Sequence, residues 1–155
     1  MKRKSAAALL VAAVLWSPVK GTDVGKLLPV ELVQISRTET GYVVRTDTEN
    51  MGEGESLPQA LANLRETAQG KIFLETTEYV LLTRETMQCL PDLPEFFRPG
   101  TEVYAAPPME NLEQAAAFLR AHSRQSPLFR LTEGEPELPE LQTEEGRIFY
   151  ADQRK

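Results

Sequence analysis

"GEGESLPQALANLRETAQGKIFL" (residues 52–74) decides the fold, because it holds the clearest helix in the chain. Ser56 followed three positions later by Gln59 is a capping box: the hydroxyl accepts an orphan backbone N–H and the amide reaches back. Pro58 falls in the first turn, where its missing N–H costs nothing. Leu57, Ala60, Leu61, Leu64 and Ala68 then recur at helical spacing and give one apolar face. Gly70 suits a left-handed C-cap, so the pattern predicts a helix over Leu57–Gln69. Gly52-Glu53-Gly54 in front of it is not a phosphate loop. It lacks the third glycine of the dinucleotide fingerprint and the Lys-Ser/Thr of a P-loop, and its glutamates repel phosphate. It reads as a flexible turn leading into the helix.

Upstream, Leu28–Ser36 ("LPVELVQIS") and Tyr42–Glu49 ("YVVRTDTE") have the β-branched enrichment and period of two expected of half-buried strands. Tyr42, Val44, Thr46 and Thr48 share one face; Val43, Arg45, Asp47 and Glu49 share the other. "RTETG" between them offers a hairpin loop, with Gly41 free to take a positive φ, so the pair is expected to be antiparallel. Downstream, Tyr79–Thr83 is a continuous apolar run, as in a strand covered on both faces. Glu85–Arg98 is expected as two short helices, because Pro91 and Pro94 break the pattern. Glu102–Ala106 reads as a strand. Asn111 caps a last helix with an apolar stripe of Leu112, Ala115, Ala116 and Leu119, and Arg120, His122 and Arg124 gather near its negative end.

Four of the 17 cations, Lys2, Arg3, Lys4 and Lys20, lie in the first 21 residues, where there is no acid, so the body is more acidic than the formal charge of −6. Such a body is a poor nucleic-acid binder, since phosphate contacts need clustered cations. It is also repelled by anionic lipid headgroups. Lys2-Arg3-Lys4 followed by "SAAALLVAAVLW" (Ser5–Trp16) has the form of a signal peptide: a positive region, then an apolar run well short of the about 20 residues of a membrane span. Val19 and Gly21 are small enough for a cleavage site after Gly21. Export to the extracytoplasmic face of the membrane, or secretion, is therefore expected. If cleavage fails, Ser5–Val19 is expected to stay as a weak anchor and the only membrane contact. A buried N-terminal helix is the remaining alternative.

The end of the chain has a different texture. "TEGEPELPELQTEEG" (Thr132–Gly146) holds six glutamates and two prolines but no cation. It is expected to be a flexible, extended segment, with "RIFY" (Arg147–Tyr150) returning as an edge strand or serving as a docking peptide. The expected organisation is thus a signal segment or anchor at 1–21, an α/β domain at 22–131 and an acidic tail at 132–155. The domain is expected to have a small mixed sheet, an N-terminal antiparallel hairpin and helices packed on the sheet.

Candidate chemistry is sparse. His122 is the only histidine and Cys89 the only cysteine, so no intrachain disulfide can form and no familiar zinc set can be assembled. His122 is expected to end a helix, and Cys89 to be a small buried hydrophobe. The tail glutamates lack the regular ligand spacing of a calcium loop. No catalytic, cofactor-binding or metal-binding residues are assigned, no cofactor is expected, and an enzyme is disfavoured. A small exported hydrolase is the weakest reading.

The ordered series of these elements resembles the N-terminal domain of the C subunits of bacterial spore-germinant receptors. The resemblance rests on Asp23–Val33 at the first strand, "GYVV" (Gly41–Val44) at the second, "GESLPQALANL" (Gly54–Leu64) at the helix, Lys71-Ile72-Phe73, "YVLL" (Tyr79–Leu82) and "LPEFFRPGTEVYAA" (Leu93–Ala106). It covers about Asp23 to Leu119. The chain departs from the family in two respects. No cysteine precedes Cys89 to carry the family's lipid anchor. Glu75, Thr76 and Thr77 stand where the family commonly has a histidine. The family's chains carry further domains beyond the stretch that is matched. The resemblance implies a non-enzymatic interaction module linked to sporulation or germination, with a protein partner at the membrane or spore envelope. A secreted or membrane-tethered structural protein of unknown role that reuses the fold is the alternative.

Overall fold

The computed structural model describes residues 27–133 and 137–153. The proposed signal segment lies outside them. Strand β1 (Leu27–Pro29) is followed by β2 (Leu32–Thr38), β3 (Gly41–Thr46) and β4 (Met51–Gly54), then helix α1 (Leu57–Thr67) and β5 (Lys71–Phe73). Strand β6 (Tyr79–Leu82), a long 3-10 segment (Arg84–Glu95), β7 (Glu102–Ala105), α2 (Leu112–His122), α3 (Leu128–Leu131), β8 (Leu141–Glu144) and β9 (Arg147–Tyr150) follow, with short 3-10 turns at Leu74–Thr76 and Ala151–Gln153.

The central sheet has the order β4-β3-β2-β6-β7. The β2–β3 and β3–β4 pairs are antiparallel, whereas β2–β6 and β6–β7 are parallel. The expected mixed sheet with an antiparallel hairpin is therefore present. Helices cover both faces, as the apolar run Tyr79–Leu82 implies: all four of its residues are buried. On one face Val33, Ile35, Val80, Leu82 and Val103 pack with α1 and the 3-10 segment. On the other, Leu32, Tyr79, Leu81 and Tyr104 pack with Leu112, Ala115, Ala116 and Leu119 of α2. The stripe expected of that helix is thus the one it buries.

Ser56 caps α1 as expected: its side chain accepts from Gln59 N–H, and Gln59 Oε1 accepts from Glu55 N–H at 3.0 Å. The end of the helix differs. It stops at Thr67 with Ala68 in an extended conformation (φ −65°, ψ 145°), and Gly70 does not take a positive φ. Thr67 takes over part of the end: its hydroxyl bonds to Asn63 O at 2.9 Å and reaches Met51 O on β4 at 3.2 Å.

Gly52-Glu53-Gly54 is a strand rather than a flexible turn, and α1 lies directly on it. A Cβ at Gly52 would sit 2.3 Å from Ala60 O and 2.4 Å from Leu64 N; one at Gly54 would sit 2.6 Å from Ala60 N. The glycines are there so that helix and strand backbones can touch. Asn63 Nδ2 donates to Glu53 O at 3.0 Å, so side chains of α1 occupy carbonyls of this edge strand and blunt it against stray pairing.

Three further expectations change. The first predicted strand is split at Val30-Glu31 into β1, which pairs with β5 in parallel, and β2. The proline-broken stretch after Thr83 is one 3-10 segment rather than two helices, with Pro91 and Pro94 inside it supplying no backbone N–H. The third change concerns the acidic tail. Leu141–Glu144 and Arg147–Tyr150 form an antiparallel hairpin, turning through Glu145 (φ 49°) and Gly146 (φ 74°) as two-residue hairpins favour. Leu141 and Tyr150 are buried in the α2-side core. The expected strand at Arg147–Tyr150 exists, but it belongs to the folded body and is not a free docking peptide.

Candidate functional site

Two walls of a groove rise at the carboxyl ends of the parallel strands β6 and β7, where open α/β sheets commonly bind ligands. The first wall is the loop from β7 to α2. Gln34, buried in the middle of β2, holds it with both ends of its amide: Nε2 donates to Pro107 O at 2.9 Å, and Oε1 accepts from Met109 N–H at 3.0 Å. Arg45 on β3 adds Nη1 to Met109 O at 2.8 Å. The sequence offered one signal for this role, a glutamine set among the apolar residues Leu32, Val33 and Ile35. A buried amide must find partners, and here they are loop backbone groups.

The second wall is the β8–β9 hairpin. Ala105 N–H donates to Pro139 O at 3.0 Å and Ala151 N–H to Glu140 O at 2.9 Å, so the hairpin continues from the edge of β7. Gln114 Nε2 on α2 donates to Gly146 O at 2.9 Å. Tyr150 OH donates to the carbonyl of His122 at 2.6 Å. The Arg124 guanidinium lies 3.9 Å over the Tyr150 ring and grips both oxygens of Asp152 at 2.6 and 2.9 Å. Arg124 holds the Asp152 carboxyl below the ordinary carboxylate range. Next to it, Tyr104 OH donates to the Glu102 carboxylate, and Ser123 Oγ donates to the same group at 2.7 Å. Burial, then the neighbouring carboxylate, pushes the Tyr104 phenol far up, so it stays a neutral donor.

Between the walls lie two neighbouring clefts of about 510 and 310 Å³ that share Pro108 and Thr143 in their linings and together make up the groove. Its third side is the start of the 3-10 segment, fixed by Thr86 Oγ1 donating to Ile35 O at 2.9 Å.

Of the residues singled out in the sequence, Arg124 and the His122 carbonyl brace the hairpin wall, while the side chains of Cys89, His122 and Arg120 line neither cleft. Cys89 is buried in the α1-side core, and burial raises its thiol pKa. His122 is exposed at the end of α2 on the opposite face, its ring 4.8 Å from that of Phe118. The two do not meet. Arg120 pairs with Glu31. Thr76 Oγ1 accepts from Val30 N–H and donates to Phe73 O, tying the end of β1 to the turn after β5. Asp47 lines a separate cleft of about 470 Å³ beside the start of α2. Its Oδ2 accepts from Glu31 N–H at 3.3 Å, its buried Oδ1 has no partner, and burial raises its pKa. Among the described residues, no three His, Cys, Asp or Glu side chains converge as a metal site would require.

The fold and groove define an α/β domain with helices on both faces of a mixed sheet and an open cleft over its parallel strand ends. No family model, curated protein or solved structure matches the chain.

Proposed function

We propose that the protein is a non-enzymatic, exported interaction module related to the C subunits of spore-germinant receptors, and that it docks a protein partner through the groove between the β7–α2 loop and the β8–β9 hairpin. The observation that carries this reading is the way the groove is built. Both walls are fixed by hydrogen bonds from buried or packed residues, Gln34 and Tyr150 foremost, which makes a preorganised surface and lowers the entropic cost of docking. The lining combines apolar Ala106, Pro107, Pro108 and Ile148 with amides and hydroxyls such as Gln142 and Thr143. That composition suits contact rather than bond chemistry.

A photo-crosslinking residue in place of Thr143, compared with one in place of Glu66 on the outer face of α1, tests the docking site. In sporulating cells the Thr143 variant is expected to trap one defined membrane or spore-envelope protein and the Glu66 variant none. Equal labelling from both positions, or from neither, refutes it. Export is tested separately by N-terminal sequencing from a Gram-positive host, where loss of about 20 residues is expected. Full-length protein in the soluble cytosol overturns that part.

A further inference from the structure

We infer that the groove takes an extended, basic segment of its partner, with lysine or arginine side chains reaching its rim and small apolar side chains on its floor. This rests on the docking role proposed above and specifies its chemistry. Four glutamates, Glu85, Glu110, Glu140 and Glu145, line the two clefts against one arginine, Arg84. All four glutamates are exposed, whereas the less exposed lining residues include apolar Met87, Ala106, Met109 and Ile148 beside Thr83 and Gln142.

Hydrogen-bonding capacity points the same way. Pro107 and Pro108 have no N–H to give, and the Met109 N–H is already taken by Gln34. The loop wall therefore offers few donors, and its Pro107 and Met109 carbonyls already accept from Gln34 and Arg45, so the strongest acceptors facing a ligand's N–H groups and cationic side chains are the four exposed carboxylates. An anionic or phosphorylated ligand would meet uncompensated like charge, which costs affinity and slows encounter. A metal ion is not favoured, because the glutamates are spread along the groove and do not converge. Two clefts in a row suit an extended chain, whose alternate side chains can drop to the floor while the others reach the rim.

Fluorescence anisotropy with the full chain and two labelled probes, a short peptide alternating Lys with Val and its Glu/Val counterpart, tests this. The Lys/Val peptide is expected to bind at least about tenfold tighter than the Glu/Val peptide, and more weakly as salt rises from about 0.05 to about 0.5 M. The E110Q/E140Q/E145Q variant is expected to lose about tenfold in affinity for it, whereas E66Q/E75Q, which removes two exposed acids outside the groove, loses less than about twofold. Circular dichroism establishes that both variants fold. Equal binding of the two peptides, or equal losses in the two variants, overturns the inference. If the Lys/Val peptide fails to bind while the Thr143 crosslinker still traps a partner, the basic-segment inference is wrong and the docking site stands. If neither occurs, both fall.

Discussion

Replacing Gly52 with alanine tests how α1 sits on the sheet. The added Cβ would lie 2.3 Å from Ala60 O, 2.4 Å from Leu64 N and 2.7 Å from Leu64 Cα, all backbone atoms of α1. No rotamer change relieves such contacts. Reaching ordinary van der Waals distance requires the helix to back off by roughly 1 Å or β4 to leave the sheet. Either movement loosens Leu57, Ala60, Leu61 and Leu64, which are at most 4% exposed. Overpacking costs about 1–3 kcal/mol where side chains can yield. Where only backbone is available, the cost is expected at or above the top of that range, ~3–4 kcal/mol. For a domain of this size that lowers Tm by about 6–16 °C. Two other glycines provide the comparison. Gly100 has nothing within 4 Å of its would-be Cβ and no positive φ, so Gly100→Ala should be neutral or stabilising by up to about 1 kcal/mol. Gly146 also has open space but φ +74°, so Gly146→Ala should cost about 1 kcal/mol in backbone strain alone. Urea unfolding followed by circular dichroism gives all three values. A cost for Gly52→Ala within ~0.5 kcal/mol of wild type, or below that of Gly146→Ala, refutes the direct helix-on-strand contact.

Leu64, fully buried, should lose about 2–5 kcal/mol on truncation to alanine, while exposed Arg65→Ala stays within about 0.5 kcal/mol; the reverse order in urea melts would show the helix phase to be wrong. Because burial raises the Asp47 pKa, its contribution is most favourable below the unfolded value and is lost as pH rises through the folded one. Asp47→Asn should therefore raise Tm at pH 7, and the gain should fade as pH falls toward about 4; a gain that is unchanged or larger at acid pH contradicts this sign. Cys89, 3% exposed with its thiol pKa raised, should resist alkylation in the folded protein and react at the rate of a free thiol in denaturant, as mass spectrometry would record. Rapid labelling of the native state would place Cys89 outside the core.

What the sequence determined by itself was what local physics controls. The Ser56–Gln59 cap, the stripe from Leu57 to Leu64 and the Asn111-capped helix depend on neighbours three or four residues away, so their signals are complete within one segment. The same holds for the β2–β3 hairpin and for the buried run Tyr79–Leu82, which was enough to expect a sheet covered on both faces. The tertiary structure decided everything that rests on partners distant in the chain. Gly52 and Gly54 read as a flexible turn because glycine's usual meaning is conformational freedom; only the approach of Ala60 and Leu64 gives them their steric role. The tail read as solvated because glutamates and prolines dominate it, yet Leu141 and Tyr150 supply enough apolar surface to dock once α2 and β7 offer a core to join. Arg45 was placed on a strand face but not bonded to Met109 O, and Gln34 was one letter in an apolar strand until Pro107 and Met109, more than 70 residues away, closed on its amide. The groove has no sequence motif because its walls come from β7–α2, β8–β9 and the start of the 3-10 segment. Their meeting is a property of the packed sheet, set by burial on both faces rather than by any one stretch of chain.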